Sequence, residues 1–400
     1  MEVPRTADAV VVGGGCMGVS TAYQLARAGL RVVLLERGEL GSGTSGRSSA
    51  IVRTHYTVPT LVRMAQAALE DFWDWKDRLP GDPGFRNVGF VLLVGTANLT
   101  SLDRNVAMQR SLGVDTEVVD AGALVRLVPG MSTDAVGAAA HEPRSGYADP
   151  WQVITSLARG ARDLGSIVAT GCRVLRIRTG AGGRVAGVDT TDGPVDAPVV
   201  VNAAGNWAGS LSRPLGVDLP VEPQRESIVL FDLPPAMADP PIVIDLVEQM
   251  YVRPHGHGRI LFGDEDHTLE ALHPRLDDPD LPETDSVGVA ALENAADKAI
   301  RRFPALAEGA LVPAGYTGRY EVTPDFQPLM GQPASVPGYY YVAGFSGHGF
   351  KLTPVVGRLM AQWVVQGRPS IDLEEFRVER FAEGHPIRAA HPYRSGVGLI

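Results

Sequence analysis

Four hundred residues suffice for one large domain or two of medium size, and 44% hydrophobic with 20% charged residues is the balance of a globular chain. The net charge of −10, with acids spread throughout and no basic stretch interleaved with aromatics, excludes general nucleic-acid or anionic-membrane binding. Cys16 and Cys172 are too far apart in sequence for a disulfide framework or a zinc spacing, and no apolar run approaches the roughly 18 residues of a membrane helix. The first strand begins almost at the N-terminus, which leaves no room for a signal peptide, so the expectation is cytoplasmic.

Ala9–Val12 is a short β-branched run and reads as a buried strand. Gly13, Gly15 and Gly18 follow at G-x-G-x-x-G spacing. The first permits a tight turn, the second lets the backbone approach a pyrophosphate, and the third lets a helix pack on the strand. A helix over 20–28 ends at Gly29, and 31–35 is a second buried strand. Glu36 stands at its end, about 20 residues on from the glycines, where an acid meets a ribose hydroxyl. The helix start offers free N–H groups and a positive dipole end to phosphates.

Residues 38–56 form a loop rich in Gly, Ser and Thr that turns apolar and basic, a composition that suits function. Residues 62–79 carry apolar side chains at helical spacing. Residues 85–94 read as strand, 99–112 as helix, Ala121–Leu127 as a further helix, and 129–150 as turn-rich. A helix over 151–164 is followed by three short strands, Ile167–Ala169, 174–178 and Val185–Thr190, read as a meander. Another buried strand, 199–201, runs into a glycine turn. From 215 to 313 the chain is strand-rich (227–231, 249–253, 259–262), with a Pro- and Asp-rich loop at 273–285 and a helix over 287–303. The chain then returns to the first domain, with a strand at Tyr339–Ala343 and a helix over 354–365, and the tail is irregular.

Glycines therefore sit at three separate strand ends, 13–18, 203–209 and 344–349. One such turn holds a phosphate; three suit a long cofactor threaded through the domain, which is FAD rather than NAD. At this point the segments VVVGGGCMG…LLER, SGRSSAIVRTHY, VVVNAAGNW, YEVTPDFQPLMG and AGFSGHGFKLTPVVG can be compared with known families. The chain resembles the D-amino-acid-oxidase-like flavoproteins, most closely the sarcosine oxidase branch.

The resemblance implies an α/β chain: a Rossmann-type FAD-binding domain from 1–84, 148–213 and 314–400, with an interleaved antiparallel-sheet substrate domain (α+β) from 85–147 and 214–313. It implies FAD, held by Gly13, Gly15, Gly18, Glu36 and Arg37 at the pyrophosphate and adenosine, Ser45 and Arg47 at the flavin, and Val174 at adenine. Ala204, Gly205 and Trp207 would close over the cofactor, and Gly344, Gly347, His348, Gly349, Phe350 and Lys351 would meet the ring. Arg53 and Lys351 match a carboxylate-binding pair, and Tyr251 and Tyr320 match aromatic positions over the flavin. His348 is read as bonding backbone or flavin rather than as a base, and His55 as structural.

The implied reaction is oxidation of a C–N bond in a sarcosine-like amino acid, a small carboxylate-bearing secondary or N-methyl amine, with the imine then hydrolysed. The electrons go to O2 or another acceptor, with an oxidase favoured over a dehydrogenase. A dehydrogenase of D-amino or hydroxy acids, or a flavoprotein subunit of a larger complex, is the alternative. Three departures bear on this. Gly318 stands where a flavin-linking cysteine would fall, so FAD is expected to be non-covalent. Asp149-Pro150 stands where a second flavin's histidine would be. Leu261 and Glu265 replace the family's oxygen-activating lysine and a nearby histidine. The run His255, His257, Asp264, Glu265, Asp266, His267 could suggest a metal, but the first two histidines sit among Pro and Gly as in a hairpin turn, and no metal is expected.

Overall fold

Ala9–Val12 and Val32–Leu35 have no polar side chains and are wholly buried, which places both in the middle of a sheet rather than at its surface. In the computed structural model, which describes residues 3–234, 239–256, 258–282, 284–308 and 314–394, they lie side by side and parallel. The six-stranded sheet runs Leu329–Gly331, Tyr339–Ala343, Val200–Asn202, Ala9–Val12, Val32–Leu35, Ile167–Ala169. Only the first of these is antiparallel to its neighbour. Helices Cys16–Arg27, Pro150–Asp163 and Thr353–Gln366 send their apolar faces into one cluster on this sheet. Gly13 has φ +109°, and a Cβ there would lie 2.3 Å from the Ala203 carbonyl oxygen, so the turn between strand and helix tolerates no side chain.

The meander is displaced by one strand from its expected place. Ile167–Ala169 follows a crossover helix and so pairs parallel with Val32–Leu35. The three-stranded antiparallel unit is instead Val174–Thr179, Val185–Thr190 and Gly193–Asp196. The helix read over 62–79 is two pieces, Pro59–Trp73 and Trp75–Arg78, broken where Asp74 leaves helical geometry.

The second sheet has eight strands, in the order Ala314–Val322, Glu222–Asp232, Arg259–Asp264, Met250–Gly256, Ile242–Asp245, Phe90–Val94, Ala138–Glu142, Glu117–Val119. It is antiparallel except where Ile242–Asp245 runs parallel to Phe90–Val94. Four of its strands were not read as strands: Glu117–Val119, Ala138–Glu142, Ile242–Asp245 and Ala314–Val322. Ala138–Glu142 lies inside the stretch read as turns, hidden by flanking Gly and Pro, and Ile242–Asp245 is a run of only four residues. The strand Ala314–Val322, read as a return to the first domain, pairs along the whole inner part of Glu222–Asp232 and so carries Tyr320 on the second sheet. Helix Val289–Arg302 packs on that sheet, fixed by a buried Arg302–Asp245 ion pair of 2.6 Å.

Candidate active site

The glycine turn opens onto a cavity of about 400 Å³. Helix Cys16–Arg27 starts at Gly15 with no side-chain cap, so its positive end faces this space. The Cys16 N–H donates to Ser45 Oγ at 3.1 Å. Glu36 lies at the mouth, its carboxylate accepting from the Gly14 N–H at 2.6 Å and the Gly38 N–H at 2.7 Å. Arg37 stacks 3.8 Å over the Trp207 ring and pairs with Asp280 at 2.5 Å, and the Trp207 indole N–H donates to the same carboxylate at 2.9 Å. Asp280 comes from the Pro- and Asp-rich loop, which the sequence placed only in the other half of the chain. Pro279, Asp280, Leu281 and Pro282 all line the cavity. Arg319 holds that loop by donating to the carbonyls of Pro279 and Leu281, and Arg47 pairs with Asp285 at 3.1 Å.

Gly13, Gly15, Glu36, Arg37, Ser45, Arg47, Val174, Ala204, Gly205 and Trp207 line this one cavity. The expected ring contacts Gly347, His348, Gly349, Phe350 and Lys351 line two adjoining chambers instead, and two expected contacts, Gly18 and Gly344, line none of the three. Gly18 packs behind the turn, and Gly344 gives its N–H to Glu321 Oε2 at 3.1 Å. Glu321, which sequence reasoning missed, lines the cavity, and burial pushes its carboxyl up to about 7. A long, glycine-walled slot fits FAD: a Cβ at Gly15 would come within 2.9 Å of Ser45 Oγ and fill the narrow part. With FAD in place, the glycine turn, Glu36 and Arg37 would hold the dinucleotide end.

At its far end the slot continues into two smaller chambers. The first, of about 70 Å³, shares Ser45, Arg47, Arg319 and Glu321 with the slot and adds Gly318, Gly347, Gly349 and Phe350. The second, of about 40 Å³, shares Tyr251, Tyr320 and Gly347 with the first and adds Arg53, His348, Lys351 and Glu265. Arg53 and Lys351 approach the same Tyr56 ring, at 4.6 Å and 5.7 Å from its centre, although they are almost 300 positions apart in sequence. Both are buried. Burial and then the Arg53 charge drive the Lys351 ammonium well below its ordinary range, so an anion between them would relieve both. Gly347 has φ +85°, and a Cβ on it would lie 2.4 Å from the Tyr320 ring; the turn and that ring are fitted to each other.

His348 carries no mobile proton. Its Nε2 faces the Phe326 carbonyl at 2.8 Å, which fixes the N–H there, and its Nδ1 faces the Tyr56 hydroxyl at 3.2 Å. Burial, with Lys351 adding to it, lowers its pKa to about 3. Tyr56 was not singled out by sequence, yet it joins the two cations to His348; burial pushes its phenol up to about 12. His55 is buried and meets Tyr393 Oη at 2.9 Å, away from the chamber. Leu261 is fully buried in an apolar cluster with Tyr251 and Ile244.

Behind the chamber lies a row of buried charges. His273 Nδ1 sits 2.6 Å from Glu226, its Nε2 sits 3.4 Å from Asp264, and Lys298 pairs with Asp264 at 2.8 Å. Burial opposes the charge on His273, but the bonds to Asp264 and Glu226 outweigh it and raise its pKa to about 10. Burial likewise works against Asp264, and its bonds to His273 and Lys298 prevail and hold it at about 2. The acid and histidine run flagged in the sequence is split by the fold. His255 is exposed on a hairpin, His257 lies outside the described residues, and His267 meets Glu226 and His273 instead. Donor atoms of those three residues come within 4.8 Å of one another, but both ring nitrogens of His273 are already committed to carboxylates.

Comparison with known proteins identifies the family and the fold. The family model described as "FAD dependent oxidoreductase" (DAO) matches residues 8–363. Human mitochondrial sarcosine dehydrogenase is 28% identical over 399 residues, covering 98% of this chain and 43% of that protein. The 4-methylaminobutanoate oxidase (formaldehyde-forming) of Paenarthrobacter nicotinovorans is 29% identical over 396 residues, covering 96% and 46%. The chain thus spans less than half the length of these curated relatives. Among solved structures, L-proline dehydrogenase from P. horikoshii superimposes with a TM-score of 0.88 at 26% identity, over 96% of this chain and 100% of that one. Among the described residues no helix is long and apolar enough to cross a membrane.

Proposed function

We propose a reaction that starts from one premise: the chain belongs to the family of FAD dependent oxidoreductases, and FAD is its cofactor. The proposed activity is oxidation of a C–N bond in a small amino acid carrying a secondary or N-methyl amine. One observation supports it above the others: Arg53 and Lys351 converge on a chamber of about 40 Å³ that adjoins the middle chamber at the end of the FAD slot. Two buried cations suit a carboxylate, which they would hold by charge-assisted hydrogen bonds. The chamber has room for a few water-sized groups, so the ligand it suits is small.

FAD, when bound, supplies the two-electron acceptor for which the protein has no side chain. The chain's own residues do the rest. Arg53 and Lys351 anchor the acid group, and Tyr251 and Tyr320 wall the chamber. The neutral His348 ring fixes the turn 344–349 through Phe326 and Tyr56. Closure by buried aromatics keeps water from the reacting carbon, so the anchored substrate is presented in one pose. Gly318, at the wall of the middle chamber, offers no sulfur, which supports a non-covalent cofactor.

A dehydrogenase passing electrons to an acceptor other than oxygen is the second reading, favoured by one observation. The position matched to an oxygen-activating lysine is Leu261, within an apolar cluster, and Arg319 and Arg47 are tied to the 279–285 loop. Mixing the substrate-reduced protein with oxygenated buffer and timing the return of the yellow colour separates the two.

The activity is tested by anaerobic addition of sarcosine, proline, D-amino acids and 2-hydroxy acids. Secondary or N-methyl amino acids should bleach the flavin absorbance. Bleaching by hydroxy acids alone would reject the amine reading.

A further inference from the structure

Arg53 and Lys351 are two buried cations that meet at one chamber, and like charges held away from water repel. Each is tethered by the main chain. Arg53 donates to the His55 carbonyl, and Lys351 Nζ donates to the His348 carbonyl at 3.2 Å. Both also approach one aromatic ring, that of Tyr56: the Arg53 guanidinium lies 4.6 Å from its centre and the Lys351 ammonium 5.7 Å. Tyr56 is buried and is not part of the chamber's lining, so it stands behind the cations rather than against a ligand. Its own place is fixed at both ends. The hydroxyl lies 3.2 Å from His348 Nδ1 and from the His348 carbonyl oxygen, and Gln109 Nε2 donates to the Tyr56 carbonyl at 3.0 Å.

We propose that Tyr56 is the positioning residue of the carboxylate site: its electron-rich ring, shared by Arg53 and Lys351, offsets their repulsion and sets the spacing at which they meet a carboxylate. The proposal rests on the reading of the chamber as a carboxylate site. It goes beyond that reading by assigning part of the site's affinity to a side chain that the ligand does not touch. An aromatic ring attracts a cation through its quadrupole, and the attraction is strongest where water is absent. The ring has no net charge. It therefore steadies the two cations without neutralising them, whereas a carboxylate in its place would compete with the ligand.

The surroundings of Lys351 give this a measurable consequence. Burial and then the Arg53 charge drive its ammonium well below the ordinary range, and Glu265 acts the other way. Taking away the ring would lower it further. The groups that face the two cations are Tyr56 and His55 from the stretch after strand Ile51–Val52, Glu142 from strand Ala138–Glu142, Tyr251 from strand Met250–Gly256, Glu265 just after strand Arg259–Asp264, Tyr320 from strand Ala314–Val322, and His348 from the turn before helix Thr353–Gln366.

The test uses FAD-loaded protein and acetate, whose binding is followed by the flavin difference spectrum. It compares wild type, Tyr56→Phe, Tyr56→Leu, and the Tyr56→Phe protein carrying one or three fluorines on the new ring. Fluorine drains the ring face of electron density and leaves the ring in place. Tyr56→Phe, which loses only the hydroxyl's contacts with His348, should bind acetate within about 3-fold of wild type. Tyr56→Leu should keep its FAD and bind acetate about 10-fold or more weakly. Acetate affinity should fall stepwise with fluorination. The pH above which acetate is released should fall in the same order, since Lys351 then loses its proton sooner. Equal losses in Tyr56→Phe and Tyr56→Leu, or a flat fluorine series, would overturn the role of the ring. The fluorine series keeps the ring's shape, so it decides the matter even if Tyr56→Leu does not fold. Amine oxidation is read separately. Stepwise loss of acetate in a protein that oxidises no amine keeps Tyr56 in its role and removes the proposed reaction. A flat series in a protein that oxidises sarcosine does the reverse, and a wild type that binds no acetate would overturn the carboxylate site and the role of Tyr56 together.

Discussion

The FAD slot and the chamber at its end are made of different materials. The slot is largely backbone: a glycine turn, a helix start and strand ends of one parallel sheet, closed by Trp207 and a loop bearing Asp280. The chamber is lined largely by side chains, with two cations, one acid and aromatics drawn from the eight-stranded sheet and from the turn before helix Thr353–Gln366. A backbone site recognises what all members of a family share, because phosphates and ribose do not change. A side-chain site is free to differ from one member to another.

If that contrast is right, substitutions should separate cleanly. The largest effect belongs to the slot. Gly13→Ala places a methyl group 2.3 Å from the Ala203 carbonyl at a backbone angle that only glycine adopts readily. It should yield colourless protein that stays colourless when FAD is added. Full yellow colour would show that the turn is not the cradle.

Next come Arg53→Ala and Lys351→Met. Each should keep a normal FAD content and raise the KM for carboxylate substrates by about 10- to 150-fold, the equivalent of roughly 1.5–3 kcal/mol for a hydrogen bond to a charged group. Lost FAD with unchanged KM would merge the two regions that the account keeps apart. A smaller change is expected of Asp280→Ala, which frees Arg37 and the Trp207 indole. Because the Arg37–Asp280 pair is partly exposed, FAD affinity should fall by only about 5-fold, near 1 kcal/mol, with kcat unchanged. Fluorescence of released FAD measures it.

The smallest effect is on stability. His273 has its pKa raised to about 10 in the folded chain, above the roughly 6.5 of an unfolded histidine. Its contribution is therefore complete below about pH 6.5 and is lost as pH rises through 10. Urea midpoints should fall across that window in the wild type and fall less in His273→Gln. Identical slopes would remove the row of charges behind the chamber from the account.

The same contrast explains what the sequence could reveal. Gly13, Gly15, Glu36 and the strands around them are close in the chain, and their spacing alone encodes the turn. Arg53 and Lys351 were paired only through a resemblance, since nothing local links residues almost 300 positions apart. Asp280 was visible only as part of a Pro- and Asp-rich loop, because its meeting with Arg37 and Trp207 depends on how the eight-stranded sheet is set against the slot. Tyr56 and Glu265 carried no local signal of a shared chamber. The strands Ala138–Glu142 and Ile242–Asp245 escaped for a related reason: each is short, and its burial is decided by sheet neighbours rather than by its own pattern.

The most direct test of the central claim is an anaerobic titration of FAD-loaded protein with sarcosine, alongside methylamine and lactate as partners lacking the carboxylate or the amine. The account predicts loss of the flavin absorbance with sarcosine, and little or none with the other two. Equal bleaching by methylamine, or bleaching by lactate alone, would contradict it.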